Sequence, residues 1–249
     1  MDGVTQVKIS ILMPTYKCPA DLFEKALLSV LTQTHQDFEI IIKDGNTEDP
    51  TINNPRIGGL IGQSDKIIYE VSPENADRAN HQNSYYEALN QCIKLSTGDI
   101  LTVLSSDDER GGPCTLKRIN DVFEKHGPGP LCVYGACEWI ERDGKHICFK
   151  QPPSIPVTWD NILTDNPFYT PSLFWNRAVF DKFGLFDATN FPWCADLDFY
   201  LKTWRGIDST FISYIVGRYR HWEVSQQRDN GLLAGAEGTK ILEKWRALR

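Results

Sequence analysis

An α/β domain is the fold class that the sequence predicts: a mostly parallel central sheet flanked by helices, followed by a smaller mixed region. Three observations predict it. Short apolar runs recur over the first 130 residues and stop at turn or polar residues. Stretches with helical apolar spacing lie between them. From "QPPSIP" onward the alternation becomes less regular. Strands that read as continuous apolar runs are buried on both faces, as in a parallel sheet covered by helices.

The elements follow in order. "KISILMP" (8–14) is a buried strand stopped by Pro14. "PADLFEKALLSVLTQT" (19–34) changes period. Leu22, Ala26, Ser29 and Leu31 fall near helical spacing, Phe23, Leu27 and Val30 widen the stripe, and Pro19 suits the first turn. "DFEIIIKDG" (37–45) and "DKIIYEVSP" (65–73) give two more strands. "NSYYEALNQCIKLSTG" (83–98) reads as a helix closed near Gly98, "DILTVL" (99–104) as the fourth strand, and "GPCTLKRINDVFEKHG" (112–127) as a helix with a glycine stop. "LCVYGACEWI" (131–140) and "KHICFK" (145–150) form a hairpin around an Asp-Gly turn. Helices are expected at 177–184, 195–204 and 237–248. The whole chain, 1–249, reads as one domain: a nucleotide-binding half at about 7–130, a second half at 131–230, and a C-terminal helix at 231–249.

Lys and Arg number 26 and Asp and Glu 33, a formal charge of −7. A nucleic-acid partner would call for a basic footprint, so none is expected. An acidic protein still binds an anionic nucleotide where amides or a metal neutralise the phosphates. The 7 cysteines contain no C-x-x-C pair, which suits reduced thiols in a cytoplasmic setting. "MDGVTQVKISILMPTYK" lacks the apolar segment of a signal peptide, and no apolar run reaches the roughly 20 residues of a membrane span. Peripheral membrane association stays open, as does the oligomeric state.

Ligands of parallel sheets bind beyond the carboxyl ends of the strands. Three such ends carry polar groups here: Thr15 and Tyr16 after the first strand, Asp44 after the second, and Ser105, Ser106, Asp107 and Asp108 after the fourth. Adjacent carboxylates repel unless a cation pairs with them, and Mg²⁺ or Mn²⁺ suits hard oxygen ligands and bridges to a diphosphate. The alternative is a helix cap beside a solvated acid. Further along, "FPWCADLDFYLKTW" carries Asp196 and Asp198, whose spacing puts them on different faces of a helix.

These pieces resemble the family 2 glycosyltransferases, which share the GT-A fold. The resemblance runs over about residues 7–225 through "ISILMPTYKCPADLFEKALLSVLTQTHQDFEIIIKDGNTED", "EALNQCIKLSTGDILTVLSSDDE", "SLFWNRAVFDKFGLFD" and "WCADLDFYLKTWRG". It implies that Thr15, Tyr16 and Asp44 hold the nucleobase and ribose of a UDP-, GDP- or dTDP-linked sugar. The metal motif, often D-x-D, falls on Ser105-Ser106-Asp107, so its first aspartate is absent. Ser106 and Asp107 then contact the donor, with Asp107 the leading metal ligand and Asp108 a second ligand or loop support. Arg78 is expected at the donor phosphate or base. Asn90 either touches the donor or braces the strand. Asp196 is implied as the base that activates an acceptor hydroxyl, and Asp198 as structural or paired with an Arg. Transfer would proceed by one displacement with inversion.

The tail "VGRYRHWEVSQQRDNG" (216–231) is expected to close the site, with Arg218, Arg220 and His221 toward the diphosphate or metal and Trp222 toward the sugar. Tyr169, Trp175 and Trp193, with Phe168 nearby, are expected as aromatic surface for the acceptor, a glycan, lipid carrier or other hydroxyl compound. Two other readings remain. A nucleotidyltransferase shares the α/β plan, but its Gly-rich loop is absent from "PTYKCPAD". A non-catalytic nucleotide- or glycan-binding module would tolerate Ser105.

Overall fold

A computed structural model describes residues 7–46, 48–72, 85–222 and 231–249. Four strands form the expected parallel core: β1 (Ile9–Thr15), β2 (Phe38–Asp44), β3 (Ile67–Val71) and β4 (Ile100–Val103), in the order β3-β2-β1-β4. Helices α1 (Ala20–Leu31), α2 (Pro55–Gly62), α3 (Tyr85–Leu95) and α4 (Thr115–Phe123) cover its two faces. Successive β1 residues alternate between cores: Ile9, Ile11 and Met13 pack with α1, α2 and α4, while Leu12 packs with α3. Each fully buried aliphatic side chain contributes about 1.5–3 kcal/mol.

The second half extends the same sheet. Strands β5 (Glu109–Arg110), β6 (Leu131–Ile140), β7 (His146–Lys150), β8 (Leu173–Asn176) and β9 (Asp208–Arg220) complete the order β3-β2-β1-β4-β8-β6-β9-β5, with β7 on β6. Here the sheet is mixed: β8 runs antiparallel to β4 and β6, and β9 runs parallel to β6. Helices α5 (Trp159–Thr164), α6 (Arg177–Phe183), α7 (Ala195–Thr203) and α8 (Gly231–Ala247) pack on the α3 side. The hairpin forms as expected, with Gly144 at φ +96° in the turn at residues 141–145.

Three strands and two helices depart from the sequence reading. β5, β8 and β9 and the short α2 and α5 were not anticipated. β8 spans only Leu173–Asn176 and runs directly into α6. β9 lacks a continuous apolar run, and most of its residues are exposed or half-buried. Residues 216–220 therefore belong to a strand, not to a closing tail. Gly111 lets the turn after β5 cross β9, since a Cβ there would lie 1.9 Å from the Ile215 carbonyl oxygen. All seven cysteines are free thiols. Among the described residues, no helix is long and apolar enough to cross a membrane.

At the amino ends of the strands, the buried Glu39 carboxylate joins β1, β2 and the turn before β4. It accepts from Ser10 Oγ at 2.7 Å, the Thr97 amide at 2.6 Å and Thr97 Oγ1 at 3.0 Å, and pairs with Lys8 at 2.7 Å. Burial alone would raise its pKa, but these donors bring it down from 4.5 to about 2. A depressed folded-state pKa gives stability that is present above the unfolded value and lost as pH falls toward the folded one. In urea melts, the advantage of the wild type over Glu39→Gln should narrow by about 2 kcal/mol from pH 6 to pH 3. A pH-independent gap would show that the charge at Glu39 does not support this junction.

Candidate active site

The first polar group sits where β1 and β2 end. Thr15 is 5% exposed, and among the described residues its buried hydroxyl has no hydrogen-bond partner. Lys17 adopts φ +49°, unusual for a non-glycine residue, so the chain turns sharply after exposed Tyr16. Its ammonium lies 5.3 Å from the Tyr16 ring centroid. Asp44 is fully buried and accepts from the Asn46 amide at 2.8 Å, the Thr51 amide at 2.6 Å and the Tyr69 hydroxyl at 2.6 Å. It therefore shapes the following loop, and a nucleobase N–H would have to share an oxygen already in use. Lys17, Cys18, Asn46, Asp49, Thr51 and Asn53 line a cleft of about 550 Å³.

The second group is the turn after β4. Cys18 Sγ donates to the Ser106 carbonyl at 3.4 Å and joins the two loops. The neighbouring aspartates have separate roles. Asp108 is 1% exposed, and its Oδ1 accepts the Arg220 amide at 2.8 Å, fixing the end of β9. Burial, and then the charge of Asp107, push its carboxyl well above the ordinary range. Asp107 is half-buried, with Oδ2 accepting the Trp222 indole N–H at 2.9 Å.

Of its two expected roles, Asp108 takes that of loop support, since its Oδ1 holds the Arg220 amide. The expectations for Arg220 and Arg218 are corrected here. The Arg220 guanidinium is buried and does not reach a diphosphate: it bonds the carbonyls of Asp107, Glu141 and Arg142, at 2.8–3.0 Å, and the Glu109 carboxylate. Arg218 is held by Glu109 and Glu138, each at 2.8 Å. His221 is exposed, and its ring lies parallel to Trp139 with centroids 5.7 Å apart. Arg78 lies outside the described residues.

No group of three or more His, Cys, Asp or Glu among the described residues would hold a metal ion by itself. Asp107 nevertheless supplies a hard carboxylate at the strand ends. That donor fits a Mg²⁺ or Mn²⁺ ion whose other ligands are diphosphate oxygens and water.

The third group opens α7. Asp196 is half-buried, its Oδ1 accepts the Leu197 amide at 2.9 Å, and the Tyr86 hydroxyl hydrogen-bonds its carboxyl. Burial pushes its pKa up, while Tyr86 and the Leu197 amide oppose that rise. Tyr85 connects the groups. Its hydroxyl lies 3.3 Å from Ser105 Oγ and feels the charges of Asp107, Asp108 and Asp196. Asp198 points elsewhere, accepting from Lys244 at 2.7 Å and the Trp245 indole at 2.8 Å. Its partners come from α8, not from an Arg.

Asn90 braces the fold. It exchanges two hydrogen bonds with the Phe186 backbone, at 2.9 and 3.1 Å. Trp175 is 1% exposed and stacked on Tyr200, so it is core and not an acceptor surface. Phe168 likewise packs between Tyr134 and Trp204. Tyr169 is half-buried against Trp139 and Tyr219, with centroids 5.5 and 6.0 Å away. Trp193 and Trp222 are also half-buried. Sequence reasoning missed Tyr85, Tyr86, Trp139 and Tyr219. The Tyr-Tyr pair at the start of a predicted helix was the one available signal.

The family model described as "Glycosyl transferase family 2" matches residues 10–184. A Mycobacterium bovis protein called "PGL/p-HBAD biosynthesis glycosyltransferase" is 26% identical over 225 residues, 90% of this chain and 78% of that one. The Campylobacter jejuni "GalNAc(5)-diNAcBac-PP-undecaprenol beta-1,3-glucosyltransferase" is 28% identical over 137 residues, covering 55% of this chain and 40% of its own. The crystal structure of S. aureus TarS 1-349 in complex with UDP-GlcNAc shares the fold, with a TM-score of 0.65 at 16% identity. It is matched over 96% of this chain and 71% of that one.

Proposed function

The chain belongs to glycosyl transferase family 2, and on that premise we propose an inverting sugar transfer in which Asp196 is the base. The enzyme is a nucleotide-sugar-dependent glycosyltransferase. The observation that carries the mechanism is the start of α3, where the Tyr85 hydroxyl lies 3.3 Å from Ser105 Oγ and the neighbouring Tyr86 hydroxyl hydrogen-bonds Asp196. One wall thus joins the diphosphate loop to the base.

In the proposed reaction, Asp196 takes the proton of an acceptor hydroxyl as its oxygen bonds to the anomeric carbon. The bond from that carbon to the diphosphate breaks, and its electron pair leaves with the nucleoside diphosphate. One in-line displacement inverts the anomeric centre. Asp107 would hold a divalent ion, which supplies charge stabilisation to the departing diphosphate. Thr15 and Tyr16 would border the nucleoside, with Asp44 holding the loop beside it. The exposed His221 would lie at the phosphate side.

The name of the Campylobacter relative, a glucosyltransferase of an undecaprenol-linked glycan, supports an acceptor that is a glycan or lipid-linked glycan. A cytoplasmic enzyme working at a membrane surface is consistent with that acceptor. Calorimetry with UDP, GDP and dTDP, with and without Mn²⁺, tests the donor reading. One nucleotide should bind, and more tightly with Mn²⁺. A sugar-nucleotide panel scored for nucleoside diphosphate release then identifies the donor. Absence of binding under every condition would sink the proposal.

A further inference from the structure

We infer that Glu237 on α8 is a positioning residue for the catalytic carboxylate, an inference that rests on the assignment of Asp196 as the base. The first amides of a helix have no intrahelical acceptor and need partners. Cys194, the residue before α7, supplies none: it makes no side-chain cap, and its thiol donates to the Ala234 carbonyl at 3.3 Å. Glu237 supplies an acceptor from a distant part of the chain, not to α7 itself but to its cap residue Cys194 and to Trp193 before it. Its Oε1 accepts the Trp193 amide at 2.9 Å and the Cys194 amide at 2.6 Å.

These two peptides lead directly into Asp196. Glu237 is 8% exposed, and a buried carboxylate is costly unless it is hydrogen-bonded. Its negative charge also favours the amino end of α7. The same two helices are joined elsewhere by Lys244 and Trp245 on Asp198. That second joint lies beyond Asp196, so the two joints can be tested separately. A base must sit within hydrogen-bond reach of its proton, and a shift of about 1 Å can cost about 100-fold in rate.

Four variants of the full chain test the inference, assayed with the sugar nucleotide that the wild type turns over. Glu237→Ala should lower kcat about 30-fold and leave donor KM within about twofold. Glu237→Gln retains an oxygen that accepts both amides and should recover to within about threefold of wild type. Glu237→Asp keeps the charge but loses the reach, so it should behave like the alanine variant even if that variant folds poorly. Lys244→Met removes the ion pair on Asp198 and leaves the Trp245 indole bond and both Glu237 bonds in place. It should keep kcat within about twofold while losing thermal stability.

Losses of kcat that follow the loss of Tm alike in Glu237→Ala and Lys244→Met would overturn the inference. Wild-type kcat in Glu237→Ala, with Asp196→Asn inactive, would overturn it while leaving the base assignment intact. Activity in Asp196→Asn would remove both.

Discussion

Asp196→Asn should abolish sugar transfer, lowering kcat by about 10²–10⁴-fold, the range for loss of a general base. Nucleoside diphosphate affinity should stay within about twofold. The amide has nearly the same shape, and its oxygen still accepts the Leu197 amide, so the start of α7 should persist. The variant loses the ability to take a proton. The wild-type pH profile should carry the same signature. Burial raises the Asp196 pKa, so its carboxylate form disappears as pH falls through a value above the ordinary aspartate range. The acid limb of kcat/KM should lie there. Tyr86→Phe removes a hydrogen bond that favours the charged form and should move the limb to higher pH. Donor affinity that collapses together with activity would instead make Asp196 a donor ligand.

The parts of the fold legible in the sequence are those where one local signal suffices. β1, β2 and β4 are uninterrupted apolar runs, and α1 carries a helical stripe. β9 has neither signal. It is held by pairing with β6, a partner about 80 positions away, at Leu131↔Asp208 through Ile140↔Arg220. The site divides in the same way. Thr15, Asp44, Asp107 and Asp196 lie at element ends that topology brings to one region.

Partners invisible to local reasoning decided the other roles. Arg220 looks like a free cation in a polar tail, but Glu109 and three carbonyls enclose it. Asn90 looks like a donor contact, yet the Phe186 backbone satisfies it. Trp175 has the chemistry of a sugar platform, yet it lies on β8 inside the core.

Asp107→Ala should reduce Mn²⁺-dependent nucleoside diphosphate affinity by about 100-fold, or about 2.7 kcal/mol, and leave the weaker metal-free binding unchanged. The expectation follows from how the two aspartates are divided. Asp108 is buried and takes the β9 amide, whereas Asp107 is half-buried and hydrogen-bonded through Oδ2 to one indole. With Ser105 at the first motif position, no second acid on this loop is placed to compensate. Asp108→Asn should act differently. It retains an oxygen for the Arg220 amide and no longer carries a charge that burial and Asp107 both oppose. Its metal titration should therefore remain close to wild type. Trp222→Phe separates the remaining contribution: it removes the indole donor but leaves the carboxylate, so it should weaken binding far less than Asp107→Ala. Equal losses in Asp107→Ala and Trp222→Phe would trace the effect to the indole contact. A metal titration unchanged in Asp107→Ala but lost in Asp108→Asn would move the ligand to the buried acid, and the β9 end would then have to open for the ion to enter.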